Sequence, residues 1–468
     1  MILENNHIKK YRQKPLMSDQ NNLNNIGPAQ AEQPKLTNQP DLDIEQQRAA
    51  MKRYAELDFS CQHSANLPPL LKQLNIALAF TSYQAGRLML VRSDGEQLNV
   101  NFKNFPRPMG LAATEQGITL GTFTEVLLFQ REDSLLPKMK EPLVPIEQDI
   151  TAPRIKPKEQ AAEKQTPNVQ ADVADIEPVQ LSAEQQARRD KELARRKAYF
   201  DELYAPVDAK TDACFISRSA HFTGMINIHD IAWGKEGLWA VNSSFSCLCT
   251  LEPDYSFVPR WKPSFISQLV PEDRCHLNGM ALKDGVPAYV TTFSQYDFAG
   301  AWRQHNDDKN TGTLMDVQRN EVVLQGLMMP HSPRYYRGKV YFCNSGEGQL
   351  CCYDPATAHM QVLAELPGFT RGMDFYGPLL FVGLSKVRQS DVTRQAPLAD
   401  KYTETYSGIW VWNLDTNSEV GWLSFTGNVD QIYDVAVLPG CSYPELLEPE
   451  HPRLRNHFCF PELQSLDT

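Results

Sequence analysis

One pattern limits this chain more than any other: sets of four short apolar runs that return at intervals of roughly 40–60 residues. Compare "HDIAWGKEGLWAVNSSFSCLCTLE" with "HSPRYYRGKVYFCNSGEGQLCCYD", and with "RGMDFYGPLLFVGLS" continuing after a loop as "SGIWVWNLD". Each holds a short strand, a turn with Gly, a strand ending in a small polar pair, and a third strand. "SFVPRWKP", "HMQVLAEL" and "EVGWLSF" supply fourth strands. The runs are rich in Val, Ile, Leu, Phe, Tyr and Trp and are bounded by Gly, Asn, Asp and Pro, which is strand punctuation. "NGMALKDGVPAYVTTFS" opens another set, and "MGLAATEQGITLGTFTEVLLFQ" one more. Four strands per repeat is the signature of a β-propeller.

The ends of the chain complete the count. "YDVAVLPG" is a first strand without companions, whereas "ALAFTSYQ", "GRLMLVRS" and "QLNVNFKNF" are three strands without a first. Joined, they make a sixth blade, and closure of that kind removes exposed sheet edges. The expectation is an all-β, six-bladed propeller over residues 56–440, its last blade closed by strands from both termini.

Three segments break the pattern. Residues 1–55 are rich in Gln, Asn and Pro and read as a disordered leader. Residues 131–210 read as a largely disordered, solvated insertion that ends in a charged helix, "LSAEQQARRDKELARRKAYFDELY". Residues 441–468 read as an irregular tail.

Of 468 residues, 42% are hydrophobic and 10% aromatic, enough to bury a sizeable core. The net charge of −11 argues against general affinity for nucleic acid or an anionic membrane. No apolar run has spanning length and the N-terminus has no signal-peptide core, so a soluble, cytoplasmic protein is expected. The ten cysteines include no CxxC; "CLC" and "CC" lie within strand-like runs and read as reduced thiols packed as small hydrophobes. There is no GxxxxGK[ST], no GxSxG and no HExxH.

Alignment of the blades on their second strands brings His229 level with Met109, Asn278, His331, Arg371 and Tyr433. The next position holds Gly110, Asp230, Gly279, Ser332, Gly372 and Asp434. First strands line a propeller's channel, so these residues should crown one mouth of it. The long loops "SQYDFAGAWRQHNDDKNTG" and "KVRQSDVTRQAPLADKYTETY" should overhang the ring and offer Trp302, Arg303, Lys386 and Arg388 to a ligand. The competing structural reading is that axial polar residues only hold water or cap strands.

Three chemistries fit this ring. A divalent metal such as Zn, Fe or Mn would take His229, His331 and Asn278, with Asp230 as ligand or support, although Arg371 would repel it. Metal-free acid–base catalysis would use His229 or His331, with Tyr433 or Asp434 assisting. Anion recognition would use Arg371 on a carboxylate or phosphate, with the histidines helping. "PEDRCHLNG" is read as the loop entering a strand, with a carboxylate–histidine site as its other reading.

The segments "TSYQAGRLMLV", "NSSFSCLCTLEPDYSFVPRWKPSFIS", "PEDRCHLNGMAL", "MPHSPRYYRGKVYFCNSGEG" and "GFTRGMDFYGPLLFVGLSK" together resemble an uncharacterised bacterial family of conserved hypothetical proteins. The likeness covers about residues 57–130 and 211–440 and implies no particular activity. More distantly, the "NGMAL" strand resembles one in six-bladed lactonases and strictosidine-synthase-like enzymes. That likeness implies hydrolase or lyase chemistry and a metal-ligand role for Asn278. The alternative function is a non-catalytic scaffold that holds protein partners through its rim and the 131–210 arm, and fold alone does not choose between enzyme and scaffold.

Overall fold

The computed structural model describes residues 58–143, 182–304, 310–387, 396–427 and 429–461. The leader, the arm at 144–181 and Arg388 lie outside the described residues.

The described strands form six sheets that follow one another around an axis, the six-bladed propeller that the repeats predict. Blade 1 runs outward through Leu111–Thr114, Gly117–Gly121, Glu125–Arg131 and Ala213–Phe222. Blade 2 begins with Ile228–Gly234, blade 3 with Leu277–Lys283, blade 4 with Pro330–Tyr336 and blade 5 with Phe369–Tyr376. In blade 6 the inner strand is Val435–Pro439, paired antiparallel with Ile76–Ser82, so strands distant in sequence close the ring.

Alternation along each strand explains why closure is stable. Leu78 and Phe80 pack with Phe381, Val411 and Phe425 between blades 5 and 6, whereas Ala77 and Ala79 pack with Leu111, Leu120 and Phe129 between blades 6 and 1. Both faces of a blade are thus buried, and its central strands read as near-continuous apolar runs. The paired cysteines follow the same rule. Cys351 faces blade 3 and Cys352 faces blade 5. Burial pushes the Cys351 thiol up to about 12, so it stays protonated as a packing group.

Two expectations are corrected. The tail is not wholly irregular: Pro444–Leu447 adds a fifth, parallel strand to the outside of blade 1, paired with Ala213–Ile216. Nor is the insertion a solvated arm from its first residue. It leaves blade 1 between the third and fourth strands, where Leu135 and Met139 are buried against Cys214, Ile216 and Leu447. Its two roots meet where Leu143 N–H donates to the Tyr204 carbonyl at 3.0 Å. Arg453 from the tail donates to the Lys138, Glu141 and Ala205 carbonyls and fastens them. Between the roots, Ala183–Tyr204 is a helix. Among the described residues no helix is long and apolar enough to cross a membrane.

Candidate functional site

Where the inner strands begin, the channel opens into a cavity of about 160 Å³. Two tiers of side chains line it. Met109, His229, His331, Arg371 and Tyr433 form one tier, from five of the six positions aligned in the sequence. The residues two places earlier form the other: Arg107, Asn227, His276, Met329, Phe369 and Gln431, one from each blade. Four of these, Arg107, Asn227, His276 and Met329, have φ between 48° and 56°. Left-handed backbone is costly for residues with a Cβ, and non-glycine residues held there concentrate at functional sites.

Asn278 is level with His229 and His331 yet does not line the cavity. Leu277 pairs with Thr292 and Gly279 with Thr291, so Asn278 is the extra residue of a β-bulge. A bulge turns the side chain away from the ladder's alternation. His276 fills the sector instead.

The three imidazoles are held differently. His229 Nδ1 lies 2.8 Å from the Asn227 carbonyl, and His331 Nδ1 lies 2.9 Å from the Met329 carbonyl and 2.8 Å from Ser345 Oγ. A carbonyl only accepts, so Nδ1 carries the proton and Nε2 presents a lone pair. Burial, reinforced by His276, holds His229 well below the usual histidine range; burial and the Arg371 charge do the same to His331. Both are neutral. His276 is instead bound to a carboxylate: its Nδ1 is 2.9 and 3.1 Å from the Asp273 oxygens. Asp273 also accepts from Trp302 Nε1 at 3.0 Å and pairs with Arg303 at 3.3 Å. The His276 and Trp302 rings lie 4.0 Å apart, and those of His276 and His229 lie 4.6 Å apart, edge to face.

Arg371 faces them. Its Cζ sits 4.4 Å over the Tyr433 ring and within 6 Å of Tyr83 and Phe369. Buried Nε of Arg371, the Tyr433 hydroxyl and His331 Nε2 find no hydrogen-bond partner among the described residues. Burial drives the Tyr433 phenol well above its ordinary range, opposed by the Arg371 charge, so it stays a neutral O–H donor. Among the described residues no Asp or Glu side chain lines this cavity, although Arg107, Arg303 and Arg371 all do.

Asp230 and Asp434, placed in the site by the sequence reading, belong to a belt beneath it. Asp230 accepts from the Met280 N–H at 3.0 Å, Ser332 Oγ from the Gly372 N–H at 2.9 Å, and Asp434 from the Leu111 N–H at 3.0 Å. The intervening positions are Gly110, Gly279 and Gly372, and a Cβ on each would meet atoms of the next blade at 2.4–3.2 Å. The hydrogen bonds thus join blades 2 and 3, 4 and 5, and 6 and 1, while the glycines admit the neighbour at the three junctions between. Arg334 spans the channel to Asp230 at 2.7 Å and Asp434 at 3.5 Å. Burial, and then repulsion from Asp230, raises Asp434 above the usual carboxylate range, against the pull of Arg334. Neither aspartate lines the cavity.

A family model described as "Domain of unknown function (DUF4915)" matches residues 65–151 and 186–447. The chain belongs to this family. Both halves of the match flank the arm, and together they take in strands of every blade. The bacterial family likeness drawn from the sequence is thereby carried, whereas the lactonase likeness is not confirmed. No curated protein matches the chain. Among solved structures, a chain from the "Crystal structure of Nidogen/Laminin Complex" is similar at 9% identity and a TM-score of 0.40, covering 78% of this chain and 99% of that one.

For this family member, the cavity gathers His229, His331, Arg371, Tyr433, Trp302 and Arg303 and leaves out Asn278, Asp230, Asp434 and Lys386. Lys386 pairs with Asp430 at 3.5 Å. The proposed metal set is therefore not assembled, and among the described residues no group of three or more His, Cys, Asp and Glu could hold a metal ion. The residues missed were His276, Asp273, Arg107, Asn227, Gln431 and Tyr83. One signal existed: "PEDRCHLNG" is the entering loop and also supplies the carboxylate–histidine pair.

Proposed function

We propose that the channel mouth of this DUF4915 propeller binds a small organic anion, with Arg371 as the anchor. The observation that carries the reading is the Arg371 guanidinium, whose buried Nε has no acceptor among the described residues and which stands over aromatic rings. A partly desolvated cation without a counter-charge is unfavourable, and a bidentate carboxylate or phosphate relieves it with two charge-assisted bonds. Arg107, across the same cavity, adds to the attraction, whereas the Arg303 charge is shared with Asp273, in a chain whose overall charge is −11. The same guanidinium disfavours a divalent cation beside His331. In an enzymatic form of the reading, a His229 or His331 lone pair takes a proton from the bound anion in a lyase, or from an attacking water in a hydrolase.

Thermal stability across a panel of carboxylates and phosphates, beside elemental analysis of the purified protein, tests this. Stabilisation of the metal-free protein that disappears in Arg371→Ala supports the anchor. Stoichiometric metal lost on His229→Ala, His331→Ala double substitution overturns it in favour of a metal centre. No metal and no stabilisation by any anion leaves the scaffold as the function.

A further inference from the structure

The anchor reading says that a negative group is bound; the imidazoles say what must lie beside it. His229 and His331 each spend Nδ1–H on a main-chain carbonyl fixed two residues earlier, at Asn227 and Met329. Those carbonyls belong to residues with φ of 56° and 48°, so the backbone itself is bent to meet the ring. A simple anion would use donors in this pocket, and a ring turned to donate would serve it best. Here the two rings are turned the other way. Each shows the cavity an acceptor nitrogen, and the buried Nε2 of His331 has no partner among the described residues. Both side chains are nearly fully buried, at 6% and 2% exposure.

Donors and acceptors are thus separated around one cavity. The Arg371 guanidinium, its Cζ 4.4 Å over the Tyr433 ring, and the Tyr433 hydroxyl offer donors, while His229 and His331 offer acceptors. We propose that the ligand is a hydroxycarboxylate, whose carboxylate meets Arg371 and whose hydroxyl groups donate to His229 and His331 Nε2. The inference rests on the anion reading and adds the hydroxyl requirement to it. It also makes the two histidines specificity-determining residues. A buried acceptor built for a hydroxyl rejects the analogue that lacks one, because it is then left unpaired.

Succinate, malate and tartrate present the same two carboxylates with none, one and two hydroxyls, and form the probe series. Dissociation constants are measured by titration calorimetry on the whole chain, with both enantiomers of malate and tartrate and the tighter one taken. The expected order is tartrate, malate, succinate, with a gain of at least about fivefold per hydroxyl. His229→Leu and His331→Leu should each reduce the tartrate-to-succinate preference. Side-chain 15N spectra of the wild-type protein, which need no variant to fold, should show both rings protonated at Nδ1. Equal affinity for the three acids, or a ring protonated at Nε2, overturns the hydroxyl requirement and leaves the anion reading standing. Binding of inorganic phosphate alone does the same. Failure of all three acids and of phosphate overturns both.

Discussion

Arg334→Met tests the channel beneath the site most severely. The guanidinium lies 2.7 and 3.2 Å from the two Asp230 oxygens and 3.5 Å from Asp434 Oδ1. The aspartate side chains are only 5% and 3% exposed. Methionine fills much of the volume but leaves the buried Asp230 and Asp434 carboxyl groups facing each other without a cation. Breaking a buried pair from one side costs about 3–5 kcal/mol. The loss should depend on pH in a definite direction. Asp434 already has a folded-state pKa above its ordinary value, so the folded protein binds a proton that the unfolded chain releases. Stability then falls as pH rises from the unfolded value to about 8, and removal of the guanidinium carries that fall on to higher pH. Urea unfolding followed by circular dichroism should give a deficit at about pH 7 that becomes clearly larger at about pH 9, where Asp434 ionises beside Arg334 in the wild-type chain but not in the variant. Adding Asp230→Asn and Asp434→Asn to the variant should restore most of the loss at neutral pH, since an amide oxygen still accepts the Met280 and Leu111 N–H groups. A deficit under about 1 kcal/mol, or one unchanged between the two pH values, would refute the account of the channel as a charge-balanced strut.

Gly372 combines a φ of +72° with a position where a Cβ would lie 2.6 Å from Asp434 Cα. Gly372→Ala should therefore lose at least about 2 kcal/mol in urea unfolding, whereas Gly338→Ala, at φ +82° in open space, should lose only about 1–2 kcal/mol. A short glycine linker in place of residues 144–203 should leave the melting temperature nearly unchanged, because Leu143 and Tyr204 already touch through a 3.0 Å hydrogen bond. Met139→Ala, at the buried root of the same insertion, should cost about 2–5 kcal/mol.

What the sequence made legible follows the range of the forces involved. Blade count and closure were readable because "ALAFTSYQ" and "YDVAVLPG" carry their apolar pattern locally, whichever strand they pair with. His229, His331, Arg371 and Tyr433 were placed in one tier because each stands at the same distance from a recognisable second strand. Asn278 failed the same rule, since where a bulge falls depends on the pairing between strands and not on either strand alone. The roles of Asp230 and Asp434 were hidden for another reason. Their partner, Arg334, is 104 and 100 residues away in the chain, and nothing local marks it as pointing into the channel. Asp273 and His276 were visible as a cluster, but a loop and a dyad are spelled alike until Trp302 and Arg303 are seen closing over them.

The pairing of Ile76–Ser82 with Val435–Pro439 also sets a timetable for synthesis. On the ribosome the early strands emerge with their inner edge open, and wait for translation to deliver residues more than three hundred positions later. Five blades can stack in order as they appear, each on the one before it. The ring itself cannot be sealed until Val435–Pro439 has left the tunnel, and the loop that must then close spans more than three hundred residues. Until that moment Leu78 and Phe80, later buried against blade 5, have no inner strand beside them. The interval between the first strand and the last is therefore when this chain is most open to mispairing with a neighbour, and slower elongation lengthens it.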